Sequence, residues 1–210
     1  MISINKDSLM LFQGDSITDC GRDYDVPADL GTGFVAMIAG WCAAANPGLG
    51  LKFLNRGVSG DRARDLKARW KRDCLDLKPD WVTIFAGIND CWRRYDSNDP
   101  TSAAEFEVNY RDILDRARDM GVSGIILMEP FVVPYPADRR AWREDLDPKI
   151  EVVHKLAREC DAKLVQLDSI FREACKAQPP SWWAGDGVHP STAGHTLIAR
   201  SWLEVAGLLP

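Results

Sequence analysis

The stretch Leu9-Met-Leu-Phe-Gln-Gly-Asp-Ser-Ile-Thr-Asp19 decides how the rest of the chain is interpreted. Its four leading apolar residues, with a glycine soon after them, are typical of a short strand buried on both faces. Gly14 and Asp15 favour a sharp turn, so Ser16 is expected just past the carboxyl end of that strand. Ligands of open parallel sheets bind beyond these ends, which makes Ser16 a candidate nucleophile. Gly-Asp-Ser also forms ordinary turns, so the choice depends on the other residues.

Strand-like and helix-like segments alternate strictly along the chain. Besides the first strand, the β-branched, aromatic and aliphatic runs predict strands at residues 51–54, 81–86, 124–129 and 164–167. Segments with helical spacing follow each of them. This alternation predicts an α/β fold with a parallel sheet, helices on both faces and right-handed crossovers. No linker or repeat divides residues 1–210, which are interpreted as one domain.

The composition excludes several classes of protein. Acidic and basic residues are interleaved and the net charge is −5, so no basic face for nucleic acid is expected. Apolar runs are far too short to span a membrane, and the polar amino terminus does not resemble a signal peptide, which predicts a cytoplasmic protein. The six cysteines show no Cys-x-x-Cys spacing, so reduced thiols are expected, without a zinc site or other metal. No cofactor is predicted.

Residues 19–29 form a polar segment that is predicted to be a surface loop. It lacks the spacing of a calcium-binding loop. The long stretch that follows Asp90 and ends at Pro100 is also polar, and no helix or strand is predicted in it.

Three histidines are candidates for the general base that a serine nucleophile needs. His154 lies in a helical pattern beside charged residues, which favours a surface position. His195 falls inside the last predicted helix and is interpreted as a satisfied polar residue. His189 lies in a glycine-rich turn, three residues after Asp186, and this spacing lets the carboxylate hold the imidazole in one tautomer. The alternative is that Asp186 caps a turn and His189 points to water.

Donors for an oxyanion are available in three places. A backbone amide near Ser16, the amide of Gly60 and the side chain of Asn89 are the candidates. Glycine and asparagine at positions 87 and 89 are also ordinary turn residues. Ser59 is a rival nucleophile, because the sequence around it faintly resembles a Gly-x-Ser-x-Gly elbow with Asp61 in place of the last glycine.

Taken in order, Gly14-Asp15-Ser16, Gly60, Gly87-x-Asn89 and Asp186-x-x-His189 resemble the four motif blocks of the SGNH (GDSL-type) hydrolases. The resemblance spans nearly the whole chain. It implies a flavodoxin-like three-layer α/β/α sandwich with a five-stranded parallel sheet, and esterase or lipase chemistry without a metal. It also implies Ser16 as nucleophile, His189 as base and Asp186 as its orienting carboxylate. The amides of Ser16 and Gly60 and the Asn89 side chain would form the oxyanion hole.

Within that family, residues 30–33, 65–70 and 87–93 look like intracellular acetyl-xylan esterases, which remove O-acetyl groups from xylo-oligosaccharides. The expected partner is thus a small acetylated sugar. Those relatives tend to carry tryptophan immediately before the triad aspartate, where this chain has Gly185. The residues predicted to contact the substrate are Asp15, Trp92, Tyr95 and Trp183.

Two other functions fit the same residues. One is an esterase, thioesterase or lysophospholipase for longer acyl chains, which needs an elongated apolar groove. The other is a non-catalytic module that binds carbohydrate or a partner, since a fold does not determine function. The eight tryptophans would also suit a homo-oligomeric interface.

Overall fold

A five-stranded, all-parallel sheet runs through the computed structural model, which describes residues 4–209. The strand order is β2-β1-β3-β4-β5. This order and the parallel pairing confirm the predicted flavodoxin-like sheet. The strands are β1 (Leu9–Gly14), β2 (Lys52–Gly57), β3 (Trp81–Phe85), β4 (Gly124–Met128) and β5 (Lys163–Val165).

Helices cover both faces of the sheet and complete the three layers. The α-helices of the described residues are α1 (Ser16–Asp19), α2 (Phe34–Ala45), α3 (Ala63–Asp73), α4 (Ile88–Asp96), α5 (Ala103–Met120), α6 (Arg143–Glu159), α7 (Leu167–Ala177), α8 (Pro180–Trp183) and α9 (Thr192–Ala206). Short 3-10 turns occupy Pro47–Leu49, Leu75–Leu77 and Ala137–Trp142. None of the helices within residues 4–209 has both the length and the apolar character of a membrane span.

Strand β1 lies at the centre of two apolar cores because its side chains alternate between the two faces of the sheet. Phe12 packs with Phe34 of α2 and Trp202 of α9 on one face. Leu11 packs on the other face in a cluster that includes Trp70 of α3 and residues of α5. Both β1 side chains are fully buried, as the run of apolar residues predicted.

Glycines allow β1, β2 and α1 to approach closely where the first two strands end. Gly14 pairs with Gly57 across the sheet. A Cβ on Gly14 would overlap with the Thr18 hydroxyl and the Phe85 carbonyl, and one on Gly57 would overlap with the backbone of α1. This close approach places Ser16 directly above the carboxyl edge of the sheet.

The polar stretch after Asp90, in which no helix is predicted from the sequence, begins with a helix. Residues Ile88–Asp96 form helix α4, and one of its faces is apolar. Ile88 and Cys91 on that face are buried, and Trp92 and Tyr95 pack against the same core. These positions follow helical spacing, so the apolar face outweighs the charged residues on the opposite side.

The prediction that residues 19–29 lie at the surface was wrong at two positions. The Asp19 carboxylate is buried and accepts hydrogen bonds from the hydroxyls of Tyr24 and Ser59, both at 2.7 Å. The Arg22 side chain is also buried, and it donates to the carbonyl of Gly57 at 3.0 Å. The segment thus joins α1 to the end of β2 from inside the fold.

All six cysteines are free thiols.

Candidate active site

Ser16 is the first residue of α1, and the helix begins there because Asp15 caps it. The Asp15 Oδ1 atom accepts a hydrogen bond from the amide of Ile17 at 3.0 Å. The Ser16 amide, in the first turn of the helix, has no intrahelical acceptor and is free for a ligand. Asp15 itself is only 1 % exposed. This burial contradicts the substrate contact predicted for Asp15, whose side chain supports the nucleophile from below.

The imidazole of His189 connects Ser16 to Asp186. Its Nε2 lies 2.9 Å from the Ser16 Oγ, and its Nδ1 lies 2.6 Å from the Asp186 Oδ2. Proton transfer from a serine to a histidine that a carboxylate orients requires hydrogen bonds of this length. The three residues that the sequence suggested as nucleophile, base and orienting group therefore lie together, although Ser16 is 173 residues away from His189.

The loop itself holds the Asp186 carboxylate in place. Its Oδ1 accepts hydrogen bonds from the amides of Val188 at 2.9 Å and His189 at 2.7 Å. Partial burial opposes ionisation, but the hydrogen bonds from the His189 ring and from these amides outweigh it and lower the pKa of Asp186 below its ordinary value. An ionised Asp186 accepts the Nδ1 proton, which leaves Nε2 unprotonated towards Ser16.

Arg139 supports this loop from the adjacent segment, and the sequence did not reveal it. Its Nε donates to the carbonyl of Asp186 at 3.0 Å. Its aliphatic stem packs on Gly187, where a Cβ would overlap with the Tyr135 carbonyl and crowd the arginine. Gly187 also has a φ of +91°, which favours glycine. The loop between Asp186 and His189 is thus fixed by contacts with the chain before α6.

The other two candidate oxyanion donors are Gly60 and Asn89, which follow β2 and β3 along the chain. Gly60 has a φ of +87°, and Asn89 lies in the first turn of α4. One N–H of the Asn89 side chain donates to the carbonyl of Asp61 at 3.1 Å, which leaves the second N–H for another acceptor. The fully buried Asp90 accepts from the Ala63 amide at 3.0 Å and thereby ties α4 to the start of α3. Sequence reasoning did not identify Asp90 as a supporting residue.

An aromatic cluster lies beside His189. The ring of Trp92 is 5.7 Å from the imidazole and 5.4 Å from the ring of Trp142. Tyr95 stacks on Trp142 at 5.2 Å with nearly parallel rings. One face of Tyr95 is therefore already covered, whereas Trp92 is half-buried next to the base. Of these predicted substrate contacts, Trp92 is the one that contacts the triad.

Two features of the loop before Asp186 differ in exposure. Trp183 is half-buried and packs edge-on against Phe171 at 6.5 Å. Gly185 is exposed, and a Cβ built on it would meet no atom within 4 Å. The position at which the resembling esterases tend to carry tryptophan is therefore open space in this chain.

The other candidates from the sequence take structural roles. The His195 Nδ1 accepts from the amide of Phe34 at 3.2 Å, and its ring is buried against Phe34. Burial lowers the pKa of His195 to about 4, so the ring is neutral at pH 7. His154 is not a free surface residue, because its Nε2 contacts the buried carboxylate of Glu129. Ser59 donates to Asp19 and has no histidine beside it among the described hydrogen bonds.

The geometry can perform acyl transfer through a serine. A nucleophile, a base and an oriented carboxylate are joined by hydrogen bonds, and the Ser16 amide in the first turn of α1 can donate to developing negative charge. Within residues 4–209, no group of three His, Cys, Asp or Glu side chains is arranged to hold a metal ion.

Comparison with known proteins identifies the family. The model of the GDSL-like lipase/acylhydrolase family matches residues 12–197. The acetylxylan esterase of Geobacillus stearothermophilus is 39% identical over 214 residues, which cover 98% of this chain and 97% of that protein.

Solved structures agree with the sequence comparison. The crystal structure of that Geobacillus acetylxylan esterase has a TM-score of 0.91, covering 98% of this chain and 96% of its own. A Parabacteroides merdae protein described as a GDSL-like lipase has a TM-score of 0.94 at 34% identity, with 99% of each chain covered. The chain belongs to the GDSL-like lipase/acylhydrolase family, as its motif blocks predicted, and it has the fold of that family.

Proposed function

We propose that this GDSL-type hydrolase is a serine esterase that removes O-acetyl groups from xylo-oligosaccharides or related acetylated sugars. The observation that carries the proposal is the chain of hydrogen bonds from Ser16 through His189 to Asp186. Solved variants of the Geobacillus esterase described as catalytic mutants replace a serine, a histidine and an aspartate three residues before that histidine. The same three residue types with the same Asp-x-x-His spacing form the relay in this chain.

The reaction would proceed in two acyl-transfer steps. His189 takes the Ser16 proton through Nε2 while Ser16 Oγ attacks the acetyl carbonyl, and the imidazolium is stabilised by Asp186. The amides of Ser16 and Gly60 and the free N–H of Asn89 donate to the oxyanion. His189 then returns the proton to the departing sugar oxygen. Water, activated by the same imidazole, hydrolyses the acetyl-enzyme and restores Ser16.

Specificity for a sugar would come from the surface beside His189. Trp92 lies against the imidazole and is half-buried, so its ring can pack against a sugar that has its ester at Ser16. Trp142 packs against this tryptophan and Tyr95 stacks on Trp142, and Tyr95 stays a predicted substrate contact. Trp183 stays a predicted substrate contact.

A preference for short acyl groups is supported by where the cavities lie. A cavity of about 670 Å³ lies behind the triad loop, with Val133 and Arg139 in its wall. Val133 and Arg139 donate hydrogen bonds to the backbone carbonyls of Gly187 and Asp186. None of the triad residues lines this cavity, so it offers no groove for a long acyl chain at Ser16.

Hydrolysis of aryl acetate and aryl octanoate by the full chain, Ser16→Ala and Ser59→Ala tests the proposal. We expect Ser16→Ala to lose activity by a factor on the order of 10⁴ to 10⁶, and Ser59→Ala to keep it. Acetylated xylo-oligosaccharides should then release acetate at rates that exceed those of octanoyl esters. Activity retained by Ser16→Ala would refute the nucleophile, and faster octanoate hydrolysis would favour the long-chain esterase.

A single domain over residues 1–210, a cytoplasmic location and a homo-oligomeric assembly stay predictions from the sequence. Ligand binding without any turnover by the intact chain would instead indicate the non-catalytic module.

A further inference from the structure

Two neighbouring arginines near the end of β2 have no carboxylate partner among the described residues. Arg22 is only 7% exposed, and its guanidinium donates to one carbonyl, that of Gly57, while its Nε is buried without a partner. Arg56 donates only to the carbonyls of Pro27 at 3.1 Å and Asn55 at 2.8 Å. Buried cations are normally paired with an anion, because removing the charge from water is costly.

The carboxylates in this region are already engaged. Asp73 accepts from Arg72 through two hydrogen bonds of 2.6 Å and from Arg69 at 3.2 Å. Asp19 accepts from the Tyr24 hydroxyl, the Ser59 hydroxyl and the amide of Arg22. Neither is hydrogen-bonded to the guanidinium groups of Arg22 and Arg56, so these two groups keep N–H donors without a carboxylate acceptor.

A cavity of about 320 Å³ opens between these groups. Arg22, Arg56 and Arg72 line it together with Tyr24 and the single carboxylate of Asp73. The Arg22 guanidinium also lies 4.3 Å above the Tyr24 ring, which fixes its plane. The cavity wall thus holds three guanidinium groups and one carboxylate, which already accepts hydrogen bonds from Arg69 and Arg72. The chain as a whole has a net charge of −5.

We propose that this cavity binds a small oxyanion, with Arg22 and Arg56 as its main donors and Arg72 at the rim. Guanidinium groups are suited to this because their planar N–H donors match carboxylate, phosphate and sulfate oxygens in pairs. The anion is either the carboxylate of a sugar acid or a free inorganic ion. Burial and the neighbouring Arg22 lower the pKa of Arg56, and the carboxylate of Asp73 opposes this shift only in part.

The site is connected to the nucleophile but does not depend on esterase activity. Tyr24 in the cavity wall donates to Asp19, the last residue of α1, and Asp19 also holds Ser59, which precedes Gly60. An anion that orders Tyr24 would therefore stabilise the segment that carries both Ser16 and Gly60. Binding itself is measurable in the Ser16→Ala variant, so failure of the anion site and failure of the esterase are distinguishable.

Calorimetric titration of the full chain with sodium sulfate, sodium phosphate and sodium glucuronate tests the proposal, at constant ionic strength set with sodium chloride. Glucose is the neutral match for glucuronate. We expect one anion per chain, no binding of glucose, and an affinity at least about ten-fold weaker in Arg56→Gln, since a charged hydrogen bond is lost. Arg200→Gln, on the outer surface of α9, should bind like the parent.

The relative affinities for sulfate, phosphate and glucuronate distinguish the two sources of the anion. Tighter binding of glucuronate supports a sugar carboxylate, and tighter binding of sulfate or phosphate supports a free inorganic ion. The absence of any anion binding overturns the proposal, as does an Arg56→Gln variant that binds as the parent does. If Arg56→Gln fails to fold, Arg72→Gln, whose guanidinium is exposed, should still weaken binding several-fold. If the parent binds no anion and Arg56→Gln forms a smaller assembly than the parent, a second copy of the chain fills the cavity. That result also overturns the proposal.

Discussion

The two halves of the candidate site are held by different forces. The nucleophile half, Asp15 and Ser16, is fixed by the interior: Asp15 is 1 % exposed and caps α1 from beneath. The acid–base half, Asp186 and His189, lies on a loop where these two side chains are 42 % and 46 % exposed, and it is fixed by hydrogen bonds within the loop and from Arg139. One half depends on packing, and the other depends on local geometry.

This difference separates stability from activity. Replacing either exposed side chain, Asp186 or His189, removes a catalytic group but little buried surface. The fold should therefore tolerate the change. A change beneath Ser16 disturbs packing where β1, β2 and α1 meet, so the protein should lose stability before the chemistry is affected.

The largest effect is expected for His189→Ala. Without the base, kcat should fall by a factor on the order of 10⁴ to 10⁶, while the midpoint of thermal unfolding stays close to that of the parent. His195→Ala is the matched control, because His195 is buried and bonds to the Phe34 amide. It should lower the unfolding midpoint and keep most of kcat. The reverse pattern would show that the two histidines have been assigned to the wrong roles.

Asn89→Ala tests the oxyanion side. Loss of one oxyanion donor should lower kcat by about 10² to 10³ and leave KM nearly unchanged, because the donor acts mainly in the transition state. Steady-state kinetics with an aryl acetate measures this. A higher KM at constant kcat would mean that Asn89 only binds the ground state.

Gly14→Ala should destabilise the fold, because the new Cβ would overlap with the Thr18 hydroxyl and the Phe85 carbonyl. We expect the free energy of unfolding to fall by about 1–3 kcal/mol in urea titrations. Gly40→Ala in α2 is the control, since no atom lies within 4 Å of its Cβ and alanine favours helices. Equal stability of the two variants would contradict the packing of β1 against α1.

The smallest expected effect is on how the free energy of unfolding depends on pH, and it involves the buried Asp90. Burial raises the pKa of Asp90 to about 7, and also that of Asp15 to about 7, whereas an unfolded aspartate titrates near 4. Between these values the folded state holds protons that the unfolded state has released, so stability falls as pH rises from about 4 to about 7. Asp90→Asn can still accept from the Ala63 amide and should reduce this slope. Urea unfolding at pH 5 and pH 8 measures the difference from the parent, and an unchanged slope would refute the assignment.

Much of the fold and the triad could be predicted because each has a local signature. The apolar run before Gly14 and the Asp-x-x-His spacing are readable without a structure. Helix α4 was missed although Ile88, Cys91, Trp92 and Tyr95 follow helical spacing, because the arginines between them give the stretch a polar character. Arg139 had no readable signal: its acceptor is a backbone carbonyl 47 residues away. The burial of Asp15 depends on the whole fold and not on its residue type.

The order of the functional residues along the chain has a consequence for how the protein is made. All five strands precede residue 166, whereas Asp186 and His189 come just before the final helix, Thr192–Ala206. A chain emerging from the ribosome therefore carries Ser16 and the five strands of the described residues while it still lacks His189, the proposed base. Only when the last segment has been synthesised, and its Trp202 has covered Phe12, does the nucleophile meet the imidazole. Hydrolytic capacity is thus withheld from every incomplete translation product that stops before that point.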